Sequence, residues 1–526
     1  MNEKLLVYGG KIWTGDAKVP HAEAFLVEGG RFTAVGSKEY VESKAHGTGV
    51  ERIDARGSLV IPGITDAHMH LSAYCKQGLY LDLSDVDSID ALLAKLKRYV
   101  EEQKDCHWVR AFGYNETLWA EPVTPTMEMI DAVSGDHAVL VSRYCGHVHV
   151  AGRRAIEEAG LWDAQDENIV RGNDGQPSGT LNEGAPGPIL ERIKEESETR
   201  ERLLALAEER MRTLASMGIT AVHACDVPSY GLPEDISLFQ DLHEAGKLPI
   251  RVMAYHDRFP NLSFRSGMGN DRICYAGYKL FADGNLGGHT SAMREDYADK
   301  PGSRGQFTHS DDEFFERMRE AQARDIQVQI HMIGDAAIDQ SIRVAQRLMK
   351  EFGRRPKLPI RFNHVIVSPP DQLPAMQELG VVLDIQPIQA FTDRNMAPAR
   401  LGAERLKSIY AFRRLYDSGL LVVGSSDGPM ENPNPWLGMW AAVCRTDEKG
   451  NPLPGQKADE VLTFDEALTI YTKNAYEAIG WKGYGLIAEG AKADFAILEN
   501  DPYKEGKQRI RDIKVRNTYL EGTKTF

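Results

Sequence analysis

Residues 59–71, LVIPGITDAHMHL, are the stretch from which the fold prediction starts. The stretch opens as a continuous apolar run, which is typical of a strand buried on both faces, and closes with the pair His68 and His70. Because side chains alternate along a strand, these two imidazoles point to the same side, about 6.6 Å apart along the backbone. They can therefore chelate one metal ion, although an HxH pair also arises by chance among 15 histidines.

Seven further apolar, β-branched runs follow in the second half of the chain, each separated from the next by a stretch with helical spacing. They lie at residues 219–225, 249–256, 274–284, 325–335, 360–367, 381–387 and 420–429. The helical partner is clearest at residues 201–215, where apolar side chains recur with a period of 3.6 and Gly218 ends the pattern. Eight buried strands that alternate with helices predict a closed (β/α)8 barrel, with an open doubly wound sheet as the alternative.

Two features depart from a plain barrel. The interval between the first and second barrel strands is too long for a loop and has apolar runs of its own, which predicts an insertion or lid domain at residues 72–212. Short strand-like runs at both ends predict a composite β-sandwich from residues 1–60 and 486–526, which leaves residues 61–71 and 213–485 for the barrel. The expected fold class is therefore α/β: a TIM barrel with a small β-sandwich from both termini and a large insertion after the first barrel strand.

Composition and charge narrow the range of partners. Hydrophobic residues make up 42% and charged residues 26%, which excludes a disordered chain, and 62 basic against 77 acidic residues give a net charge of −15. This charge would repel polyanions, so we expect a small-molecule substrate and neither nucleic acid nor a membrane surface as partner, with a homo-oligomer left open. Six cysteines without a CxxC pair, and no run of 18 apolar residues, indicate a cytoplasmic protein.

The carboxyl ends of the other strands carry further ligand types, and this is the end from which barrel enzymes take their catalytic groups. Lys279 lies in strand four, His331 in strand five, His364 in strand six and Asp427 at the end of strand eight. Together with the HxH pair they offer four imidazoles, one amine and one carboxylate, which predicts a site for divalent cations.

Lysine inside an apolar strand is costly unless its ammonium is paired. An ion pair with a barrel aspartate would be one explanation. The alternative is that Lys279 is neutral and has reacted with carbon dioxide to form a carbamate (N6-carboxylysine), which gives one oxygen to each of two metal ions. The site would then hold two divalent cations, expected to be Zn²⁺, with a bridging hydroxide as the nucleophile.

Asp427 is the candidate catalytic residue. An aspartate after the sequence GSS more often caps a turn, but this one follows the histidines and the lysine in chain order. We expect it to ligate one metal, to accept the proton of the attacking water and to pass that proton to the leaving amine.

The motifs resemble the YtcJ-like branch of the amidohydrolase superfamily (amidohydrolase family 3), the group that includes N-substituted formamide deformylase. The matching segments are VIPGITDAHMHL, GYNETLW, GYKLFADGNLGG, QIHMIGDAAID, FNHVIVSPPD, GSSDGPMENPNP and GLIAEGAKADFAILENDP. The resemblance implies a metal-dependent hydrolase with a barrel, a small β-sandwich and a large insertion. The positions that match the family's metal ligands, with Lys279 as the carboxylated bridge, are His68, His70, Lys279, His331, His364 and Asp427.

Substrate contacts are predicted in two places. In the insertion they are Tyr114, Asn115, Trp119, Arg143, His147 and His149, although the two aromatic residues could instead pack the insertion's own core. After the lysine they are Asp283 and Asn285, which could also orient Lys279. Asn363 stands where relatives frequently have glutamate, which leaves the substrate open. His223 and His256, at the ends of strands two and three, could face the pocket, but we expect them to fill a barrel layer.

The function predicted from these residues is hydrolysis of an amide-type carbon–nitrogen bond, N-acyl or N-formyl and not a peptide bond, in a small molecule. A mononuclear deaminase of the same superfamily is one alternative, because it would use one metal and would not need the lysine. A non-hydrolytic barrel enzyme, either a decarboxylase or an isomerase, is another. A metal-free binding protein would be expected to lack some of the six ligands.

Overall fold

A computed structural model describes residues 4–47, 49–102, 106–144, 147–226, 235–257 and 264–526. The chain forms two compact units. The first, called here the barrel unit, comprises Met1–Ala73 and Met211–Phe526, and the second, called the inserted unit, comprises Tyr74–Arg210.

Three β-sheets are present in the described part of the chain. In chain order the strands are β1 (Lys4–Trp13), β2 (His21–Glu28), β3 (Arg31–Gly36), β4 (Val50–Asp54), β5 (Leu59–Pro62), β6 (Ile64–Met69), β7 (Leu81–Asp82), β8 (Trp108–Tyr114), β9 (Ala138–Arg143), β10 (Val148–Ala151), β11 (Ile169–Arg171), β12 (Pro177–Asn182), β13 (Ile219–Asp226), β14 (Arg251–His256), β15 (Met268–Gly269), β16 (Ile273–Phe281), β17 (Gln327–Met332), β18 (Arg361–His364), β19 (Val382–Ile385), β20 (Leu421–Gly424), β21 (Phe495–Leu498), β22 (Val515–Leu520) and β23 (Thr523–Lys524).

The α-helices fill most of the connections between these strands. In chain order they are α1 (Lys38–Lys44), α2 (Leu71–Lys76), α3 (Ile89–Glu102), α4 (Met127–Ser134), α5 (Arg153–Glu158), α6 (Gly187–Ser197), α7 (Arg200–Ser216), α8 (Asp235–Glu244), α9 (Asp311–Ala323), α10 (Asp335–Phe352), α11 (Leu373–Leu379), α12 (Pro387–Thr392), α13 (Ala397–Arg405), α14 (Phe412–Asp417), α15 (Pro435–Cys444), α16 (Phe464–Ile470), α17 (Lys473–Ala478) and α18 (Pro502–Glu505). Within the described ranges, no helix combines the length and the apolar character needed to cross a bilayer.

The barrel sheet consists of parallel strands in the order β6, β13, β14, β16, β17, β18, β19 and β20, with helices in the connections. Two backbone hydrogen bonds join the last strand's end to the first: Asp427 N–H donates to the carbonyl of His68 at 2.8 Å, and His70 N–H donates to that of Gly428 at 2.7 Å. The nearly closed parallel barrel confirms the predicted fold class.

The single strand expected over residues 59–71 is divided into two. Strand β5 pairs with β1 and β21 in the terminal sheet, whereas β6 enters the barrel. Gly63 lies between them, and a Cβ atom there would sit 2.1 Å from the Thr220 hydroxyl oxygen. Glycine therefore lets the chain pass from one sheet to the other at a point of close approach.

Both ends of the chain contribute to one sheet, in the order β23, β22, β21, β5, β1, β2 and β3, with β4 beside β1. Aromatic side chains pack together on its apolar face. Phe25 lies edge-on to Phe32 and Phe495, and Tyr519 stacks on Phe495 with the ring centroids 4.5 Å apart. Burial of these large side chains stabilises the pairing of the two ends.

The inserted unit has its own sheet, in the order β11, β12, β10, β9, β8 and β7. Along β9, Val139 and Val141 belong to one apolar cluster, while Ala138 and Leu140 belong to another. This alternation shows that both faces of the sheet are covered, which explains why the strand reads as a continuous apolar run.

Candidate metal centre

His68 and His70 lie at the carboxyl end of β6, and both are buried. Their Nε2 atoms approach the same carboxylate oxygen, Oδ1 of Asp427, at 3.5 Å from His68 and 3.4 Å from His70. The two ring centroids are 5.7 Å apart. The first and last barrel strands thus bring two imidazoles to one carboxylate.

His364 and Asp427 occupy strained backbone conformations at the ends of β18 and β20. Their φ angles are 74° and 65°, in the left-handed region that residues other than glycine seldom adopt. One ligand atom from each of His364, Asp427 and His68 lies within 4.8 Å of the others. Strain of this kind clusters at functional sites, where the surrounding structure holds it in place.

Lys279 lies in β16 and is 1% exposed. Its Nζ lies 3.0 Å from His68 Nε2 and 3.3 Å from the side-chain oxygen of Asn363, to which it donates. In the described part of the chain these hydrogen-bond partners are an imidazole and an amide, and neither is a carboxylate. Burial lowers the pKa of the lysine amine, because the charged form loses its hydration.

His331 completes the group from β17. Its ring centroid is 4.4 Å from that of His364, and its Nε2 lies 2.9 Å from the carbonyl of Gly284. Burial lowers the pKa of His331 and of His68 well below the usual value, and lowers that of His364 to about 4. The imidazoles are therefore neutral near pH 7, which is the form that binds metal ions.

Asp427 carries the negative charge of the site. Burial alone would raise its pKa, but the contact with His70 and the charges that His364 and Lys279 carry when protonated outweigh burial and bring the pKa to about 2. Its Oδ1 is the oxygen that the Nε2 atoms of His68 and His70 approach, at 3.5 and 3.4 Å. An ionised carboxylate oxygen between two imidazole nitrogens fits a bound cation.

The structure thus brings the six predicted ligands to one end of the barrel. The model of the amidohydrolase family matches residues 51–526. This chain belongs to the amidohydrolase family. The membership confirms the resemblance seen in the motifs and identifies the chain as a metal-dependent hydrolase of that superfamily.

Two relatives align with this amidohydrolase along almost its whole length. YtcJ of Bacillus subtilis (strain 168) is 29% identical over 535 residues, which cover 99% of this chain and 98% of the relative. N-substituted formamide deformylase of Arthrobacter pascens is 26% identical over 538 residues, which cover 98% and 97%. Among solved structures, an uncharacterized metal-dependent hydrolase from Pyrococcus horikoshii OT3 has a TM-score of 0.76 and 26% identity, with 96% of this chain and 99% of that chain covered.

The amidohydrolase site includes polar residues that the sequence reasoning did not assign. Asp384 in β19 is completely buried, and its Oδ2 lies 4.0 Å from His68 Nδ1. It accepts hydrogen bonds from Arg361 at 2.6 Å and from Asn363 at 2.7 Å. A signal was available, because an acid inside the apolar run VVLDI is as anomalous as the lysine in β16.

Asp283 supports the loops around His331. Its carboxylate accepts backbone N–H groups of Ala292 at 3.0 Å, Ile333 at 3.0 Å and Gly334 at 2.8 Å, and Oδ1 lies 3.6 Å from His331 Nε2. Asn285 is exposed and accepts the N–H of Gly288 at 2.6 Å within its own loop. These hydrogen bonds hold the loops in place. Direct contact of Asp283 or Asn285 with substrate stays a prediction.

The candidate residues of the inserted unit have partners within that unit. Tyr114 and Trp119 are buried in its core, with ring centroids 6.2 Å apart. Asn115 accepts the N–H of Thr117 at 3.3 Å, Arg143 donates to Glu116 at 2.9 Å, His147 lies 3.0 Å from Glu183, and His149 lies 2.8 Å from the Ser142 hydroxyl. Their role in substrate binding stays a prediction.

His223 fills a buried layer of the barrel beneath the centre. It is completely buried, and its Nδ1 accepts a hydrogen bond from Arg361 at 2.7 Å. His256, at the end of β14, is half-buried.

Proposed function

We propose that this amidohydrolase cleaves an amide-type carbon–nitrogen bond, N-acyl or N-formyl, of a small molecule, with two Zn²⁺ ions and a carboxylated Lys279. The observation that carries the proposal is the placement of a buried lysine amine among imidazoles, 3.0 Å from His68. Four imidazoles, one carbamate and one carboxylate would hold both cations: His68, His70, Lys279, His331, His364 and Asp427.

The carbamate would form from carbon dioxide. In its deprotonated form, Nζ of Lys279 would donate its lone pair to the carbon of CO₂: a C–N bond forms, the electron pair of one C=O π bond moves onto oxygen, and one proton leaves the nitrogen for solvent. The product carries a single negative charge on two oxygens, which suits a position between two cations. The interior of the barrel favours the reaction, because burial disfavours the ammonium form.

Divalent cations bound here would lower the pKa of a water molecule and polarise the substrate carbonyl. The residues of the chain supply positioning and proton transfer. Asp427, anionic near pH 7, would take a proton from the attacking water and deliver it to the leaving nitrogen. Gln389 donates to Asp427 Oδ2 at 3.4 Å and so helps to keep Oδ1 directed toward the imidazoles.

A mononuclear deaminase is the second candidate, because His68, His364 and Asp427 alone form a cluster compact enough for one cation. The metal count separates the two functions. A stoichiometry near two supports the amide hydrolase, whereas one metal with release of ammonia from an amino-substituted ring supports the deaminase.

The proposal is tested by a substrate screen together with removal and restoration of the metal. The purified protein is incubated with N-formyl, N-acetyl and cyclic amides, and the released amine and acid are identified. We expect turnover that chelation abolishes and Zn²⁺ restores. Turnover that is unchanged after verified metal removal would overturn the proposal.

A substitution of Lys279 tests its role as the carbamate. Lys279→Ala should lose turnover and regain part of it with short carboxylic acids, which replace the carbamate oxygens. The exposed Lys300→Ala serves as the matched control and should behave as wild type.

A further inference from the structure

We propose that Asn363 is a positioning residue for the Lys279 carbamate: its side-chain oxygen accepts the carbamate N–H and thereby directs the two carbamate oxygens away from Asn363, toward the metal ligands. This inference rests on the proposed function, because it requires that Lys279 be carboxylated. It begins from the distance of 3.3 Å between Lys279 Nζ and Asn363 Oδ1.

The orientation of the Asn363 amide is determined by its other neighbour. Asn363 and Asp384 are register partners in adjacent strands, and Nδ2 lies 2.7 Å from Asp384 Oδ2. A carboxylate oxygen accepts and an amide NH₂ only donates, so the nitrogen must face Asp384. The amide oxygen is then the atom that faces Lys279.

Asp384 is itself held in place on both oxygens. Arg361 donates to Oδ2 at 2.6 Å, while the Ser425 hydroxyl at 2.6 Å and the Gln386 amide at 3.2 Å donate to Oδ1. A buried carboxylate with this many donors has little freedom to rotate. The Asn363 amide is therefore attached to a fixed acceptor.

Arg361 extends this support across the barrel. Besides Asp384, it donates to the carbonyl of Ala67 at 2.7 Å, to Nδ1 of His223 at 2.7 Å and to the hydroxyl of Tyr255 at 3.2 Å. Ala67 immediately precedes His68 in β6. One buried guanidinium thus connects the strand that carries Asn363 with the strand that carries the HxH pair.

The chemistry of the carbamate explains why an amide is suited to position 363. The carbamate nitrogen keeps one hydrogen and lies in the plane of its two oxygens, so a hydrogen bond from that N–H selects the orientation of the whole group. A carboxylate at 363 would lie about 2.7 Å from Asp384 and would need a shared proton there. Asparagine donates to Asp384 and accepts from the lysine nitrogen with a single side chain.

The experiment measures carboxylation directly. Full-length protein is reconstituted with Zn²⁺ in increasing concentrations of ¹³C-bicarbonate, and the carbamate carbon is followed by ¹³C NMR. Asn363→Leu removes the acceptor at similar volume, and we expect half-carboxylation to need roughly tenfold more bicarbonate than in wild type, as for one lost hydrogen bond. Gln340→Leu is the matched control, since Gln340 is a buried amide whose partners are His309 and Asp311; it should keep the wild-type value.

The outcomes separate the two proposals. If wild type shows no carbamate signal at any bicarbonate concentration, the carboxylated lysine of the proposed function is wrong. If wild type shows the signal and Asn363→Leu keeps the same bicarbonate dependence, the positioning role is overturned. Circular dichroism checks the fold of each variant. If Asn363→Leu does not fold, Asn363→Ser replaces it, because a serine side chain is too short to reach Lys279. Asn363→Ser should show the same shift in bicarbonate dependence.

Discussion

Asp427 combines three properties that set it apart among the aspartates in the described part of the chain: a left-handed backbone, a buried carboxylate and a pKa of about 2. We predict that Asp427→Asn lowers kcat by at least about 100-fold, because an amide cannot accept the proton of the attacking water. The fold should be retained, since asparagine has the same shape and tolerates a positive φ. Steady-state kinetics and thermal unfolding on the same preparation check both parts.

The matched control for this variant is Asp312→Asn, which removes one carboxylate from an exposed position on α9. Its kcat should equal that of wild type. Loss of activity in Asp312→Asn, or normal activity in Asp427→Asn, would contradict the role assigned to Asp427.

The burial of His223 leads us to predict a specific pH dependence of the free energy of unfolding. Burial, with the nearby Arg361 charge, lowers its folded pKa well below the value of 6.5 expected when the chain is unfolded. The unfolded state therefore binds a proton that the folded state does not, so the stabilisation is complete above pH 6.5 and falls as the pH drops below it. Metal-free His223→Gln should lose less stability between pH 6.5 and 5, with a slope smaller by up to about 1.4 kcal/mol per pH unit.

Denaturant unfolding at several pH values gives the two slopes. The exposed His21→Gln is the control and should keep the wild-type slope. Equal slopes for His223→Gln and wild type would show that His223 does not contribute to the pH dependence.

At the scale of elements, the strands and the ligand types at their ends were predictable, whereas the contacts between polar side chains of neighbouring strands were not. A strand such as β13, in which every residue is buried, requires cover on both faces, and a barrel with outer helices provides it. Asp384 and Asn363, by contrast, become meaningful only when β18 and β19 are adjacent, because their contact depends on strand register. A single sequence without pairing information does not contain that register.

The division between β5 and β6 was missed for a related reason. Nothing in the local sequence shows that Thr220, more than 150 positions away, packs against Gly63. We predict that Gly63→Ala destabilises the protein by about 1–3 kcal/mol, because the new methyl group would overlap the Thr220 side chain. Chemical denaturation measures the loss.

Two further variants test the cause. Gly184→Ala places a methyl group where no atom lies within 4 Å, and it should be nearly neutral. Thr220→Gly combined with Gly63→Ala should cost less than the sum of the two single changes, because the overlap is removed. Strictly additive effects would show that the close approach is not the cause.

At the scale of the barrel unit, a buried ion pair joins the terminal sheet to the barrel. Arg251, at the start of β14, donates to both oxygens of Asp494, just before β21, at 2.9 and 3.1 Å. The Arg251 side chain is fully buried and that of Asp494 is 2% exposed, whereas Glu521, at 2.9 Å from Arg251, is 26% exposed. Burial decides how much each partner contributes, because water screens the exposed one.

We predict that Asp494→Leu lowers the free energy of unfolding by about 3–5 kcal/mol, since it removes the buried partner of Arg251 and leaves the partly exposed carboxylates of Glu521 at 2.9 Å and Asp271 at 3.6 Å. Glu521→Gln should cost under about 1 kcal/mol. Replacing both buried charges, Arg251→Met with Asp494→Leu, should recover much of the loss, because no uncompensated charge remains. Denaturant unfolding of the four proteins measures these free energies, and kcat of the folded variants should equal that of wild type. A double variant less stable than Asp494→Leu would contradict this account. It would show that the packing of the arginine side chain, and not its charge, joins the two sheets.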